Sequence, residues 1–215
     1  MTHWGMVIDL GKCIGCMTCT VACECENFLP YGLSWAKVAD FEDGKYPAVK
    51  RTFLPTLCMH CDEAPCVKTC PTEATMRRED GVVITDYDKC IGCRLCMIAC
   101  PYDSRSYVEK LELPLPLSLM KKEVRSKYQL IKDQTASKCT FCAHRIDKAK
   151  ETGKTPGKDP EVTPICVNTC VGNARYFGDL ENPESEVSKL AKSDRAFVLY
   201  EEAKTRPSVY YLKRR

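Results

Sequence analysis

Short apolar runs, each followed within a few residues by a knot of cysteines, set the rhythm of this chain. Val7-Ile8 and Val82-Val83-Ile84-Thr85 are β-branched runs just ahead of cysteine loops, and both predict strands. Arg175-Tyr176-Phe177 predicts another. Pro65 to Thr69 and Cys93 to Ala99 have room for one or two helical turns. Pro71 and Pro101 would stop those turns, because proline has no amide hydrogen to donate. Ser185 to Lys192 carries Val187, Leu190 and Ala191 at helical spacing behind Ser185, a suitable capping residue. Asp43-Gly44, between aromatic and β-branched pieces, predicts a hairpin turn. Short strands alternating with short helices predict an α+β fold.

The cysteines change the picture from fold to chemistry. Sixteen of the 17 fall into four groups of four. Group one is Cys13, Cys16, Cys19 and Cys23; group two is Cys58, Cys61, Cys66 and Cys70. Group three is Cys90, Cys93, Cys96 and Cys100; group four is Cys139, Cys142, Cys166 and Cys170. Groups one and three read C-x2-C-x2-C-x3-C, the spacing at which one loop holds three corners of a [4Fe–4S] cube while the fourth cysteine ligates a second cube. Structural zinc instead pairs two separate C-x2-C elements, and a third cysteine at the next x2 step suits a cube better. Group two, C-x2-C-x4-C-x3-C, is a variant that reads clearly beside the other two. Group four, with 23 residues between Cys142 and Cys166, would pass for a zinc site if met alone. Its support is relational, since crossed ligation uses groups in pairs. Four groups predict four [4Fe–4S] clusters, and a chain carrying four is a conductor of electrons.

An internal repeat runs under this pattern. Asp9-Leu10-Gly11-Lys12-Cys13-Ile14-Gly15-Cys16 aligns with Asp86-Tyr87-Asp88-Lys89-Cys90-Ile91-Gly92-Cys93 at a constant offset of 77 residues, and all four cysteines keep it. Lys138-Cys139-Thr140-Phe141-Cys142 is a looser third copy. The expectation is a duplicated, bacterial ferredoxin-like α+β architecture with inserted loops, each unit a strand, a cysteine loop and a short helix. Gly15 and Gly92 are expected where the backbone turns tightly around the cube and a Cβ would obstruct it. The insertions are Glu24 to Leu57, Pro101 to Lys138 and Ala143 to Ile165. The second contains Leu113-Pro114-Leu115-Pro116-Leu117, which cannot be regular helix, and Lys154 to Pro160 in the third is a loop by composition.

Composition sets limits on function. At 215 residues the chain fits one large domain or two small ones, and 28% charged residues suit a water-facing surface. The formal charge is +3. Each oxidised cube with its thiolates adds about −2, roughly −8 for four, which leaves the holoprotein near −5 and predicts no nucleic-acid partner. No run of 18 apolar residues occurs, so no direct membrane insertion is expected. Met1-Thr2-His3-Trp4-Gly5 has no signal-peptide character, so export would depend on another chain. A disulfide scaffold is disfavoured by the length and the odd cysteine count. His3, His60 and His144 are scattered, and no nucleophile elbow, Walker or dinucleotide motif is present, so no catalytic residue is assigned. Cys25 reads as a buried or simply neutral extra thiol, with a spare ligand as the alternative. His60 either donates to a cluster sulfur or is a packed loop residue. Lys12, Lys89 and Lys138, each just before a group, either offset cluster charge or are solvated.

Several segments together carry a family resemblance. They are Met6-Val7-Ile8-Asp9, Cys58-Met59-His60-Cys61-Asp62-Glu63-Ala64-Pro65-Cys66, Cys96-Met97-Ile98-Ala99-Cys100-Pro101-Tyr102, Lys138 to Arg145, Ala174 to Leu180 and Pro207 to Leu212. On these the chain resembles the four-cluster iron–sulfur subunit of the dimethyl sulfoxide reductase family of molybdopterin oxidoreductases, nearest to the polysulfide, thiosulfate, tetrathionate and arsenate reductase types. The resemblance implies four ligand sets. Set one is Cys13, Cys16, Cys19 and Cys170; set two is Cys139, Cys142, Cys166 and Cys23. Set three is Cys58, Cys61, Cys66 and Cys100; set four is Cys90, Cys93, Cys96 and Cys70. It implies two units, residues 1–23 with 102–215 (groups one and four) and residues 24–101 (groups two and three). It further implies a non-catalytic subunit relaying single electrons between a molybdopterin (Mo or W) catalytic subunit and an integral membrane quinone-reactive subunit or other carrier. The alternative is a free-standing polyferredoxin serving several oxidoreductases. Such subunits sit at the cytoplasmic membrane, on the periplasmic side by co-export with the catalytic partner; a cytoplasmic home is the alternative. Two departures stand out: Val171 where the family has proline, and a long Pro101 to Lys138 segment.

Overall fold

The computed structural model describes residues 1–113, 115–122, 124–125 and 131–214. Pro114 and part of the second insertion therefore lie outside the described residues. Strand β1 (Trp4–Asp9) is the centre of the main sheet. It pairs antiparallel with β8 (Arg175–Asp179) and parallel with β10 (Val209–Leu212), which pairs in turn with β9 (Ala196–Phe197). Met6, Val7 and Ile8 are fully buried, which explains why so short a strand is stable: both of its faces are covered. On one face lies the helix Glu186–Ala191, with Val187 against Val7 and Leu212. Ser185 caps that helix as its sequence suggests, its Oγ accepting from the Ser188 amide at 3.1 Å.

Three hairpins complete the strands: β2 (Lys37–Lys45) with β3 (Ala48–Thr56), β4 (Thr75–Arg77) with β5 (Val83–Thr85), and β6 (Ser106–Val108) with β7 (Thr135–Ser137). The first turns at Tyr46-Pro47, not at Asp43-Gly44. Gly44 instead lies in β2, opposite Val49, where a Cβ would meet the Ala48 carbonyl at 2.4 Å. The base of this hairpin packs on the group-one loop, and the Tyr211 hydroxyl donates to the Pro55 carbonyl at 2.8 Å.

The helices that carry cysteines are short. They are Thr18–Glu26, Pro65–Lys68, Leu95–Ile98 and Ile165–Asn168, and Ala143–Thr152 follows Cys142. The last turn of Pro65–Lys68 closes on Thr69, just before Cys70 and Pro71.

The sequence repeat extends to the backbone. Met17 and Arg94, 77 residues apart, both sit in the left-handed region and both open a helix. The Asp9 amide donates to the Ala174 carbonyl and the Asp86 amide to the Ala74 carbonyl, each at 2.7 Å. Group four matches group two rather than group one. The third cysteine of each, Cys66 and Cys166, stands second in a four-residue helix entered from a residue outside the left-handed region, Ala64 or Pro164, whereas groups one and three enter theirs from left-handed Met17 and Arg94. The third insertion hid this match by spreading Cys142 and Cys166 apart.

Candidate metal centres

The strand pairs bring the cysteines together. β8 follows Cys170 and pairs with β1, which leads into Cys13; β4 follows Cys70 and pairs with β5, which leads into Cys90. Each antiparallel pair therefore lays the last cysteine of one group beside the first loop of another. Cys13, Cys16, Cys19 and Cys170 line one small cavity, and Cys58, Cys61, Cys66 and Cys100 line a second. Cys23 lies within electrostatic reach of Cys139, Cys142 and Cys166. Cys96 stands in the same relation to Cys90 and Cys93, and the β4–β5 pair connects the segment after Cys70 to the one before Cys90. The sets are neighbours in a fixed order: Cys166 is close to Cys19, Cys139 to Cys58, and Cys96 to Cys66. Sets two and three are interior, with Cys23, Cys139, Cys142, Cys166, Cys58, Cys61 and Cys66 all buried. Sets one and four reach the surface through exposed Cys16 and Cys93. Cys25 is exposed, so it is not a buried thiol.

The donors suit a cluster. Burial, reinforced by neighbouring thiols, pushes the Cys61 and Cys142 thiols up to about 12. Such thiols ionise when a cationic iron centre takes up their charge, so loading releases protons. At the exposed edge, the Thr18 hydroxyl 3.3 Å from Cys16 holds that thiol below its ordinary value. Among the described residues no three Cys, His, Asp or Glu converge closely enough for a single ion. Four thiols spread around a cavity fit the corners of a cube, whereas tetrahedral zinc needs sulfurs about 2.3 Å from one point.

Amides support the thiols. The Ala174 and Thr75 amides donate to Cys170 and Cys70 at 3.2 and 3.5 Å, and the Phe141 amide to Cys139 at 3.4 Å. The Tyr102 and Thr205 hydroxyls, 2.5 Å apart, stand beside Cys61. Gly15 and Gly92 adopt positive φ, +70° and +67°, and a Cβ at either would also meet protein: the Phe53 ring at 2.4 Å for Gly15 and the Gln134 carbonyl at 2.0 Å for Gly92.

Between the sets the structure places residues whose position no spacing revealed. Arg175 and Arg105 are buried, which works against their charge; the nearby sulfurs of Cys166 and Cys19, and of Cys66, Cys96 and Cys58, outweigh this and hold the charge more firmly than usual. Lys138 is also buried, unlike Lys12 and Lys89, so surface solvation does not describe it. His60 is fully buried, and its ring stacks on Phe141 with centroids 3.7 Å apart. Its Nδ1 accepts from the Val83 amide at 3.0 Å, so the ring proton is on Nε2, which has no protein partner. Burial, then the charges of Lys138 and Arg105, hold the His60 pKa far below its ordinary value and the ring neutral.

Sulfur-lined cavities joined by short strand pairs define a ferredoxin-type [4Fe–4S] protein. Residues 49–113 and 82–171 match a family described as 4Fe-4S dicluster domain, and residues 4–24 one described as 4Fe-4S binding domain. The chain is 42% identical to a selenate reductase subunit of Mesobacillus selenatarsenatis, over 98% of this chain and 72% of that one. It is 39% identical to the arsenate respiratory reductase iron-sulfur subunit ArrB of Shewanella sp. strain ANA-3, over 97% and 95%. With the menaquinone reductase iron-sulfur cluster-binding subunit of Nitratidesulfovibrio vulgaris the figures are 39%, 99% and 89%. The chain belongs to the iron–sulfur subunits of the molybdopterin oxidoreductases: it is a non-catalytic electron-transfer subunit that carries multiple [4Fe–4S] clusters.

Proposed function

We propose that sets one to four each hold one [4Fe–4S] cluster, in that spatial order, on two duplicated ferredoxin-like units made of residues 1–23 with 102–215 and of residues 24–101. A bound cube takes up and gives back one electron at a time. The chain's part is to fix the order of the sites, keep water from the two interior ones and tune them by burial, amide donors and charge. The observation that carries this reading is the run of sulfur neighbours Cys19–Cys166, Cys139–Cys58 and Cys66–Cys96, which makes one line of four sets. Exposed apolar side chains flank both ends: Ile14 and Val171 beside set one, Ile91 and Ile98 beside set four. These two ends are the places where partners would exchange electrons with the chain.

One partner is a molybdopterin catalytic subunit, which sets the terminal substrate. The other is a quinone-linked membrane subunit, a reading supported by the menaquinone reductase relative. No helix among the described residues is long and apolar enough to cross a membrane, so attachment would run through that partner. The site of work is the periplasmic face of the cytoplasmic membrane, reached by co-export. Cys61→Ser tests the relay. It is expected to damage set three and cut turnover with the physiological donor, while dye-driven assays at the catalytic subunit suffer less. Equal loss in both assays rejects the relay.

A further inference from the structure

Of the 32 Lys and Arg side chains, the buried ones among the described residues are Arg105, Lys138 and Arg175. Each lies at a different junction of the four sets. Arg175 is between sets one and two: its Nη2 is 3.5 Å from Cys19 Sγ and its Nη1 3.8 Å from Cys166 Sγ. Its remaining described contact is Met6 Sδ at 3.6 Å. Arg105 lines the set-three cavity with Cys58, Cys61, Cys66 and Cys100, and Cys96 of set four is within its electrostatic reach. Its Nη1 reaches Thr85 Oγ1 at 3.5 Å, while its Nε and Nη2 have no protein acceptor. Lys138 is between sets two and three, donating to the carbonyls of Val83 and Cys139.

None of the three forms an ion pair with a carboxylate among the described residues, whereas buried Asp9 is paired to Arg195 at 3.0 Å. An unpaired buried cation is expensive, and it persists where a negative charge stands opposite. Here the negative charge within reach is thiolate sulfur. Arginine is the right residue for a bridge, being permanently charged and planar, with donors pointing two ways.

We infer that Arg175 and Arg105 are positioning residues of the relay, each raising the reduction potentials of two adjacent clusters together: Arg175 those of sets one and two, Arg105 those of sets three and four. This rests on the four-set reading above. A fixed positive charge and hydrogen bonds to sulfur favour the more negative, reduced form. One guanidinium within reach of two sets shifts both potentials in the same direction. Lys138, bonded to carbonyls and not to sulfur, acts on the middle junction through space alone.

The test is an EPR-monitored redox titration of the anaerobically prepared holoprotein, with iron counted in every sample. Arg175→Gln is expected to keep about sixteen irons per chain and to move two of the four reduction steps to more negative potential. Arg105→Gln is expected to move the other two. Four unmoved steps, or a single moved step, at wild-type iron content would overturn the inference. If Arg175→Gln loses iron, Arg175→Lys decides: its one ammonium reaches one set, so one step holds and one falls, and two unmoved steps refute the bridge. Wild-type protein far short of sixteen irons would instead sink the four-set reading itself, whatever the arginines do.

Discussion

Gly92→Ala puts the account of the cysteine loops to a quantitative test. Gly92 has φ +67°, a conformation that costs an L-residue about 1–2 kcal/mol. Its added Cβ would lie 2.0 Å from the Gln134 carbonyl oxygen, far inside ordinary contact, and that oxygen belongs to backbone at the mouth of the β6–β7 hairpin. Backbone cannot swing aside as a side chain can, so the loop bearing Cys90 and Cys93 must move away. Overpacking of this kind costs about 1–3 kcal/mol, and the two effects together come to about 2–5 kcal/mol. At roughly 2–4 °C per kcal/mol for a chain of this size, the thermal midpoint should fall by about 4–20 °C. The displaced loop supplies two thiols of set four, so iron should fall from about sixteen to about twelve per chain. Gly32→Ala is the control. Gly32 has φ +76° with nothing within 4 Å of the new Cβ, so it should lose about 1 kcal/mol and no iron. Iron and sulfide analysis beside thermal unfolding of both variants reads the result. A Gly92→Ala protein with full iron and the stability of the control would refute the steric argument.

Two further outcomes follow from the same geometry. Tyr211→Phe removes the buried hydroxyl that donates to Pro55 at 2.8 Å and leaves that carbonyl unpaired. The expected cost is about 1–3 kcal/mol, read as a lower unfolding midpoint at unchanged iron content, and an unshifted midpoint would show that water replaces the bond. Cys25→Ser removes an exposed thiol that stands outside the four sets, so iron, sulfide and the four reduction steps should all match the wild type. Loss of one cluster would make Cys25 a ligand and redraw the sets.

Much of the site was legible because cluster ligation is local. Cys13, Cys16 and Cys19 are three residues apart and line one cavity, so their spacing records their proximity directly, and Cys90, Cys93 and Cys96 repeat the same steps. The strands over Val83–Thr85 and Arg175–Asp179, the helical turn after Pro65 and the Ser185 cap were legible too, since each depends on residues within a few positions. Gly44 misled because its role is a close approach to Ala48 within the hairpin, a contact that Asp-Gly as a dipeptide does not record.

Long-range pairing was decided by tertiary structure. Cys170 meets Cys13 because β8 lies on β1, and no local spacing reports a contact spanning that distance. The likeness of group four to group two rests on how the backbone enters the helices after Ala64 and Pro164, which the 23-residue gap before Cys166 hides in the sequence. Arg105 and Arg175 look like ordinary surface cations in a sequence, because charge is cheap in water. Only folding around the thiols shows that both are buried among cysteine sulfurs, the counter-charge that makes burial possible.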